Sequence, residues 1–248
     1  MSEIIKTEAV VLNKMNYGDT SIISKLFTSD HGIVSIIVKG ARSSKSKYGA
    51  VVDPINYLQV IYYKKETRDL QLLSGAEIIS HFPAIKEDLT KLKYAYATVE
   101  LVKNLLAENE SNHKIFKGLV RILEKINSAD EKPGISFGRF FLFFLREIGY
   151  ELQFDKCIVC GTSSFTDNNL IYSFEKGLLC GKCKSQAVEF YEINMELITY
   201  LNCLKTNDKA DFYVDAIILK AIKFMEQHLK FQVPNFKGLQ SFQIISER

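Results

Sequence analysis

Four cysteines carry the most specific chemistry in the sequence: they stand as Cys157-Ile158-Val159-Cys160 and Cys180-Gly181-Lys182-Cys183. Two CxxC pairs about twenty residues apart are the ligand pattern of zinc ribbons, in which each pair supplies two thiolates to one tetrahedral ion. The pattern predicts one structural Zn²⁺ bound by Cys157, Cys160, Cys180 and Cys183. A redox dithiol and a set of unmetallated cysteines are the alternatives. A catalytic zinc is disfavoured, because such sites keep an open position and usually take His or carboxylate ligands, and no His lies in the segment. Gly161, directly after Cys160, is placed to let the backbone fold under the metal. The fifth cysteine, Cys203, reads as a buried, inert thiol on a helix.

A second chemistry is electrostatic. The segment Lys39-Gly40-Ala41-Arg42-Ser43-Ser44-Lys45-Ser46-Lys47-Tyr48-Gly49 holds four cations and no acid. Its small residues leave backbone amides accessible, so phosphates could meet amides and side-chain cations together. Lys39, Arg42, Lys45 and Lys47 are therefore nucleic-acid-binding candidates. Lys14 and Arg68, with Lys64 and Lys65, would extend the basic surface, and Tyr57, Tyr62 and Tyr63 are candidates for stacking on bases. A solvated surface loop is the plainer reading of the same segment. The formal net charge is only +3, so any basic surface must be local.

The elements that must position these residues follow from periodicity. Residues 1 to about 80 read as β structure, with candidate strands Thr7 to Lys14, Ser21 to Thr28, Ile33 to Val38, Asn56 to Tyr63 and Leu70 to Ile79. Asp30-His31-Gly32 is predicted to join the second and third as a hairpin, Gly32 supplying the positive φ. Five short strands predict a small barrel, and a barrel with a basic loop and aromatic strands is an arrangement used for single-stranded nucleic acid. From Pro83 the period changes. Leu89, Leu92, Tyr96, Val99, Val102, Leu105 and Leu106 predict the buried face of one long helix, and a second helix is expected over His113 to Ile126. Ser136 is the expected N-cap of a Phe-rich buried helix that ends before Gly149. The cysteine segment, about 151 to 187, interrupts the helical region. Helices resume at roughly Asn194 to Lys205 and Ala210 to Leu229. The expected fold is α+β: an N-terminal domain over residues 1–80, then a helical domain over 81–248 with the ribbon inserted.

The composition, 47% hydrophobic and 25% charged over 248 residues, is that of a globular chain able to bury ordinary cores. Met1 to Thr7 lacks the apolar core of a secretory signal, and Phe140 to Leu145 is too short to cross a bilayer. A cytoplasmic protein without a membrane segment is expected. His31, His81, His113 and His228 are scattered, and no Walker loop, dinucleotide fingerprint or GxSxG turn occurs. The expectation is a protein that is not an enzyme.

Several collinear blocks resemble one family, the bacterial recombination mediator RecO. They are Lys6-Thr7-Glu8-Ala9-Val10-Val11-Leu12 with Tyr17-Gly18-Asp19, Leu26-Phe27-Thr28 with Gly32, and Lys39-Gly40-Ala41-Arg42 with Ser46. Ala76-Glu77-Ile78-Ile79, Glu100-Leu101-Val102, Leu145-Arg146-Glu147-Ile148-Gly149-Tyr150, Cys157 to Gly161 and Gly177-Leu178-Leu179-Cys180 through Cys183 follow in order. The chain departs from the family pattern at Gln153, where proline is expected, and at Lys176 before Gly177, where two glycines are common. The resemblance implies an N-terminal oligonucleotide-binding (OB) barrel, a helical domain and an inserted zinc ribbon. It also implies binding of single- and double-stranded DNA, strand annealing, and, with RecR, loading of RecA onto DNA coated by single-strand-binding protein, in the cytoplasm at the nucleoid. Carry-over is limited to the Lys39–Lys47 loop for DNA and the four cysteines for zinc. An RNA-binding accessory factor of translation or transcription is the alternative, because barrel-plus-ribbon combinations also serve there.

Overall fold

The structure, a computed structural model, describes residues 2–44, 46–128, 130–165, 170–187, 189–210 and 213–244. Alternation of apolar and polar residues builds five strands: β1 (Glu3–Tyr17), β2 (Ser21–Thr28), β3 (Gly32–Val38), β4 (Tyr57–Lys64) and β5 (Leu70–Ser80). They close into a barrel in the order β1-β2-β3-β5-β4, with β3 and β5 the parallel pair. This is the OB-fold, as predicted. β1 outruns its predicted length because its first half pairs with β4 and its second half with β2. Inward positions are filled by Ile22 and Leu26, by Val34, Ile36 and Val38, and by Leu58, Val60 and Tyr62, all buried. Gly32 takes a φ of 67° at the β2–β3 turn.

A short helix that the sequence does not predict, α1 (Pro83–Glu87), precedes the predicted long helix, α2 (Leu89–Leu105), across Asp88. Asp88 is extended, and its carboxylate accepts from the Thr90 and Lys91 amides, which makes it the N-cap of α2. The buried face also differs. Leu89 is 72% exposed and Tyr96 37%, whereas Tyr94, Ala95, Ala97 and Thr98 are buried. Small and hydroxyl side chains let this helix be buried around much of its girth, a pattern that an apolar period does not reveal. α3 (His113–Asn127) follows expectation, capped by Asn112. Buried Glu100 of α2 accepts from the Ser241 amide at 3.0 Å, which ties α7 (Gln240–Ile244) to this part of the chain.

The chain divides into two compact units, one running from the N-terminus to residue 130 and regaining the segment from Ser241, the other Glu131–Gln240. The second unit is built on α4 (Pro133–Glu147), whose Phe137, Phe140, Phe141, Phe144 and Leu145 are buried. α4 begins at Pro133, so Ser136 lies inside the helix rather than at its cap; its hydroxyl bonds the Glu131 carboxylate. Proline at the first turn, where the missing amide costs nothing, overrides the Ser signal. The ribbon follows as β6 (Leu170–Ser173), β7 (Gly177–Leu179), a 3-10 turn at Gly181–Gln186 and β8 (Tyr191–Ile193), with sheet order β7-β6-β8. α5 (Met195–Thr206) and α6 (Asp215–Gln232) pack on α4. Among the described residues no helix is long and apolar enough to cross a membrane.

Candidate nucleic-acid interface and metal centre

The connection from β3 to β4 is not a free loop. Ala41 and Val52, 4% and 0% exposed, enter the barrel core, and the Arg42 amide donates to the Thr20 carbonyl at 2.9 Å. The Arg42 guanidinium also donates to the Gly18 carbonyl at 2.9 Å, which seats the connection against the β1–β2 turn. With its backbone held, the segment presents Lys39, Arg42 and Lys47 to solvent beside Ser43 and Ser44. Lys45 lies outside the described residues. Cations on an immobilised backbone lose less conformational freedom on meeting phosphate than they would on a free loop.

The other candidates separate. Lys14 forms an ion pair with Asp53. Arg68 sits in the β4–β5 turn, which buried Gln71 organises by accepting from the Lys65 amide at 2.8 Å and donating to the Lys65 carbonyl at 3.2 Å. That turn follows Lys64, the partner of Glu3 at the start of β1, whereas Arg42 lies beside Gly18 and Thr20, just past the end of β1. Arg68 and the basic connection therefore occupy opposite ends of the barrel. Of the three tyrosines, only Tyr63 is open, at 38% exposure. Tyr62 is an interior residue whose phenol is pushed up to about 12 by burial, then by Glu3 and Asp30. Tyr57 donates to the Glu8 carboxylate and packs against Phe116; burial, then Glu8, raises its phenol.

In the second unit the four cysteine sulfurs lie within 4.8 Å of one another, with Cys160 and Cys180 3.7 Å apart. Tetrahedral ligation at about 2.3 Å requires sulfurs about 3.8 Å apart, so the set fits a metal ion. Gly161 at φ 74° turns its amide onto the Cys157 carbonyl at 2.9 Å, and the Cys180 amide points at the Cys157 sulfur from 3.5 Å. The Ile158 amide donates to Leu178 at 2.9 Å, and Leu178 in turn donates to Gln153 at 3.0 Å, so the first knuckle is laced to β7. Gln153 serves through its carbonyl, a contact proline would also supply, and through its amide, which donates to the Tyr172 hydroxyl at 3.2 Å and which proline would lack. Burial opposes ionisation of Cys157, but amides of Cys160, Cys180 and Val159 outweigh it and hold the thiol down to about 6. Burial, then the neighbouring sulfurs, pushes Cys183 up to about 12. Four sulfurs this close cannot all ionise unless a cation neutralises them, which is the service a divalent ion provides. Cys203 is half-buried, its thiol on the Lys209 carbonyl at 3.2 Å.

One feature of the second unit escaped the sequence reading. A cleft is lined by Arg139, Phe143, Arg146, Phe154 and Lys205, with the Arg146 guanidinium 5.7 Å from the Phe143 ring and the Lys205 ammonium 5.4 Å from Phe154. Its residues come from α4, α5 and the approach to the ribbon, so no local motif announces it.

A family model described as "Recombination protein O N terminal" matches residues 1–82, and one described as "Recombination protein O C terminal" matches residues 86–239. Among curated proteins, the chain is 33% identical over 158 residues to a DNA repair protein RecO of Chlorobium limicola, covering 64% of this chain and 60% of that one. It is 38% identical over 129 residues to the DNA repair protein RecO of Salinibacter ruber, covering 52% and 50% respectively. The chain thus aligns with little more than half the length of these two relatives. A third, the DNA repair protein RecO of Chloroherpeton thalassium, is 27% identical over 259 residues, covering 98% of each.

Proposed function

Since the chain belongs to the RecO family, we propose that it is a non-enzymatic, DNA-binding mediator of recombinational repair. It binds single- and double-stranded DNA, anneals complementary strands and, with RecR, promotes RecA loading onto DNA coated by single-strand-binding protein, in the cytoplasm at the nucleoid. The observation that carries this reading is the pinned β3–β4 connection, which holds Lys39, Arg42 and Lys47 outward on a closed OB barrel. DNA binding is assigned to the domain of residues 1–80 and partner contacts to residues 81–248. The metal is assigned as one Zn²⁺ on Cys157, Cys160, Cys180 and Cys183, where it would supply rigidity and no reactivity. Arg68 is a separate backbone contact. Lys14, already paired with Asp53, contributes least.

The family's contact with the tail of single-strand-binding protein lies on the helical domain. The cleft of Arg139, Phe143, Arg146, Phe154 and Lys205 suits it, because an acidic peptide that carries apolar side chains can pack on the half-buried Phe143 ring and compete for Arg146 and Lys205, whose present partners are the carboxylates of Glu147 and Asp155. Annealing of two complementary strands, with and without single-strand-binding protein, tests the function. Acceleration in both conditions is expected. No acceleration in either, or tighter binding to RNA than to DNA of equal length, overturns it.

A further inference from the structure

The barrel carries an uncovered apolar row that crosses all five strands. Register places Met15 opposite Ile23, Ile23 opposite Ile37, Ile37 opposite Leu72, Leu72 opposite Tyr63 and Tyr63 opposite Ile4. Ile4, Ile23, Ile37, Leu72 and Tyr63 each adjoin a buried, inward-facing residue and so point away from the core, and Met15 shares their face through its pairing with Ile23. Ile4, Met15 and Tyr63 are 65%, 57% and 38% exposed, and Ile23, Ile37 and Leu72 are half-buried. The row leaves β1 at Met15 and returns to it at Ile4. Strands of a closed barrel are tilted, so a line perpendicular to them runs along the barrel as well as around it. Five interstrand steps of about 4.8 Å make a path of about 24 Å. It links the end that bears Arg42 to the end that bears Arg68. Beyond the flanking Lys25 and Ser35, the outward positions Phe27 and Ile33 are 0% and 1% exposed, Phe27 lying under Phe116 of α3, so that part of the outer surface is covered.

The flanks identify the occupant. On one side of the row the outward positions are Tyr17, Ser21, Lys39, Gly75, Ile61 and Lys6; on the other they are Asn13, Lys25, Ser35, Leu70, Lys65 and Ser2. Four are lysines and none is acidic. Lys25 is paired with Glu108, while Lys6, Lys39 and Lys65 are exposed. An apolar track edged on both sides by ammonium groups matches a chain whose bases face the protein while its phosphates lie to the sides. Duplex DNA hides its base faces in the stack and cannot use such a track.

We propose that the row from Met15 to Ile4 is a single-strand-selective base track, and that Lys6, Lys39 and Lys65 guide the phosphates along it. This rests on the DNA-binding reading above. The test uses the full-length protein and compares wild type with Met15→Ser/Tyr63→Ser and with Lys39→Ala/Arg42→Ala/Lys47→Ala, each checked for native far-UV dichroism. Anisotropy of a labelled oligothymidine and of a duplex of the same length gives both affinities. The row variant should weaken single-strand binding about tenfold, in the range of a lost stacking contact, and leave the duplex affinity within about twofold. The loop variant should weaken both. Unchanged single-strand affinity in the row variant, or an equal loss on duplex, overturns the track and leaves the row to a protein partner. If the loop variant instead changes neither affinity, it is the function assigned to the connection that fails, whatever the row variant does.

Discussion

Replacing Gly32 by alanine should damage the barrel far more than the same change at Gly18. Both glycines have positive φ, 67° and 55°, so each substitution pays the left-handed cost of about 1–2 kcal/mol for an L residue. At Gly18 nothing lies within 4 Å of the added methyl. At Gly32 the methyl would press on the Glu110 carbonyl oxygen and lie 2.6 Å from that residue's carbonyl carbon and nitrogen. These are backbone atoms, so the segment before α3 must move. That segment is tied down by the Asn109 amide, which donates to Ile33 at 3.0 Å, and by the Lys25–Glu108 ion pair at 2.5 Å. Losing the first costs about 1 kcal/mol, and the exposed pair adds a few tenths. With a φ cost of about 1.5 kcal/mol for both, the expected loss is about 3 kcal/mol for Gly32→Ala against about 1.5 for Gly18→Ala. Urea titration read by hydrogen exchange of β2 and β3 peptides reports the barrel alone. At about 2 kcal/mol per molar urea the two midpoints should differ by about 0.7 M. Equal midpoints would refute the close approach.

Two further outcomes concern the second unit. Chelation of the metal should expose the segment around 157–183 to protease while leaving barrel peptides intact, and Cys183→Ser should bind less than one zinc per chain; unchanged cleavage after chelation would show that the ribbon stands without its ion. His228 is buried, with its Nε2 3.0 Å from the Tyr150 carbonyl and rings of Tyr172 and Phe174 against it, and burial lowers its pKa from 6.5 despite that hydrogen bond. The unfolded chain therefore takes up a proton near pH 6.5 before the folded one does, so stability present above that pH is lost as pH falls. His228→Gln should flatten this decline in thermal unfolding between pH 7 and 5, and an unaltered profile would place the acid sensitivity elsewhere.

The features legible in the sequence are those written locally. Strand alternation, the hairpin at Gly32 and the two CxxC pairs each depend on residues within a few positions of each other; the structure shows the strands and the hairpin and brings the four cysteines together. What could not be read depends on register or on competition between local signals. Arg68 and Arg42 look alike in the sequence but are separated by the length of β1. Tyr62 and Tyr63 are adjacent, yet strand alternation buries one and opens the other. Proline outweighed Ser136 at the start of α4, and the apolar period of α2 did not reveal that its small and hydroxyl residues are buried as well. The apolar row exists only once five strands are paired.

Salt dependence of single-strand binding tests the central claim most directly. Neutralising about four phosphates through Lys39, Arg42, Lys45 and Lys47 contributes about −3 to the slope of log affinity against log salt for a single strand. The quadruple alanine variant should bind more weakly at low salt, with a slope shallower by about that amount. An unchanged affinity and slope would contradict the assignment of DNA binding to this connection.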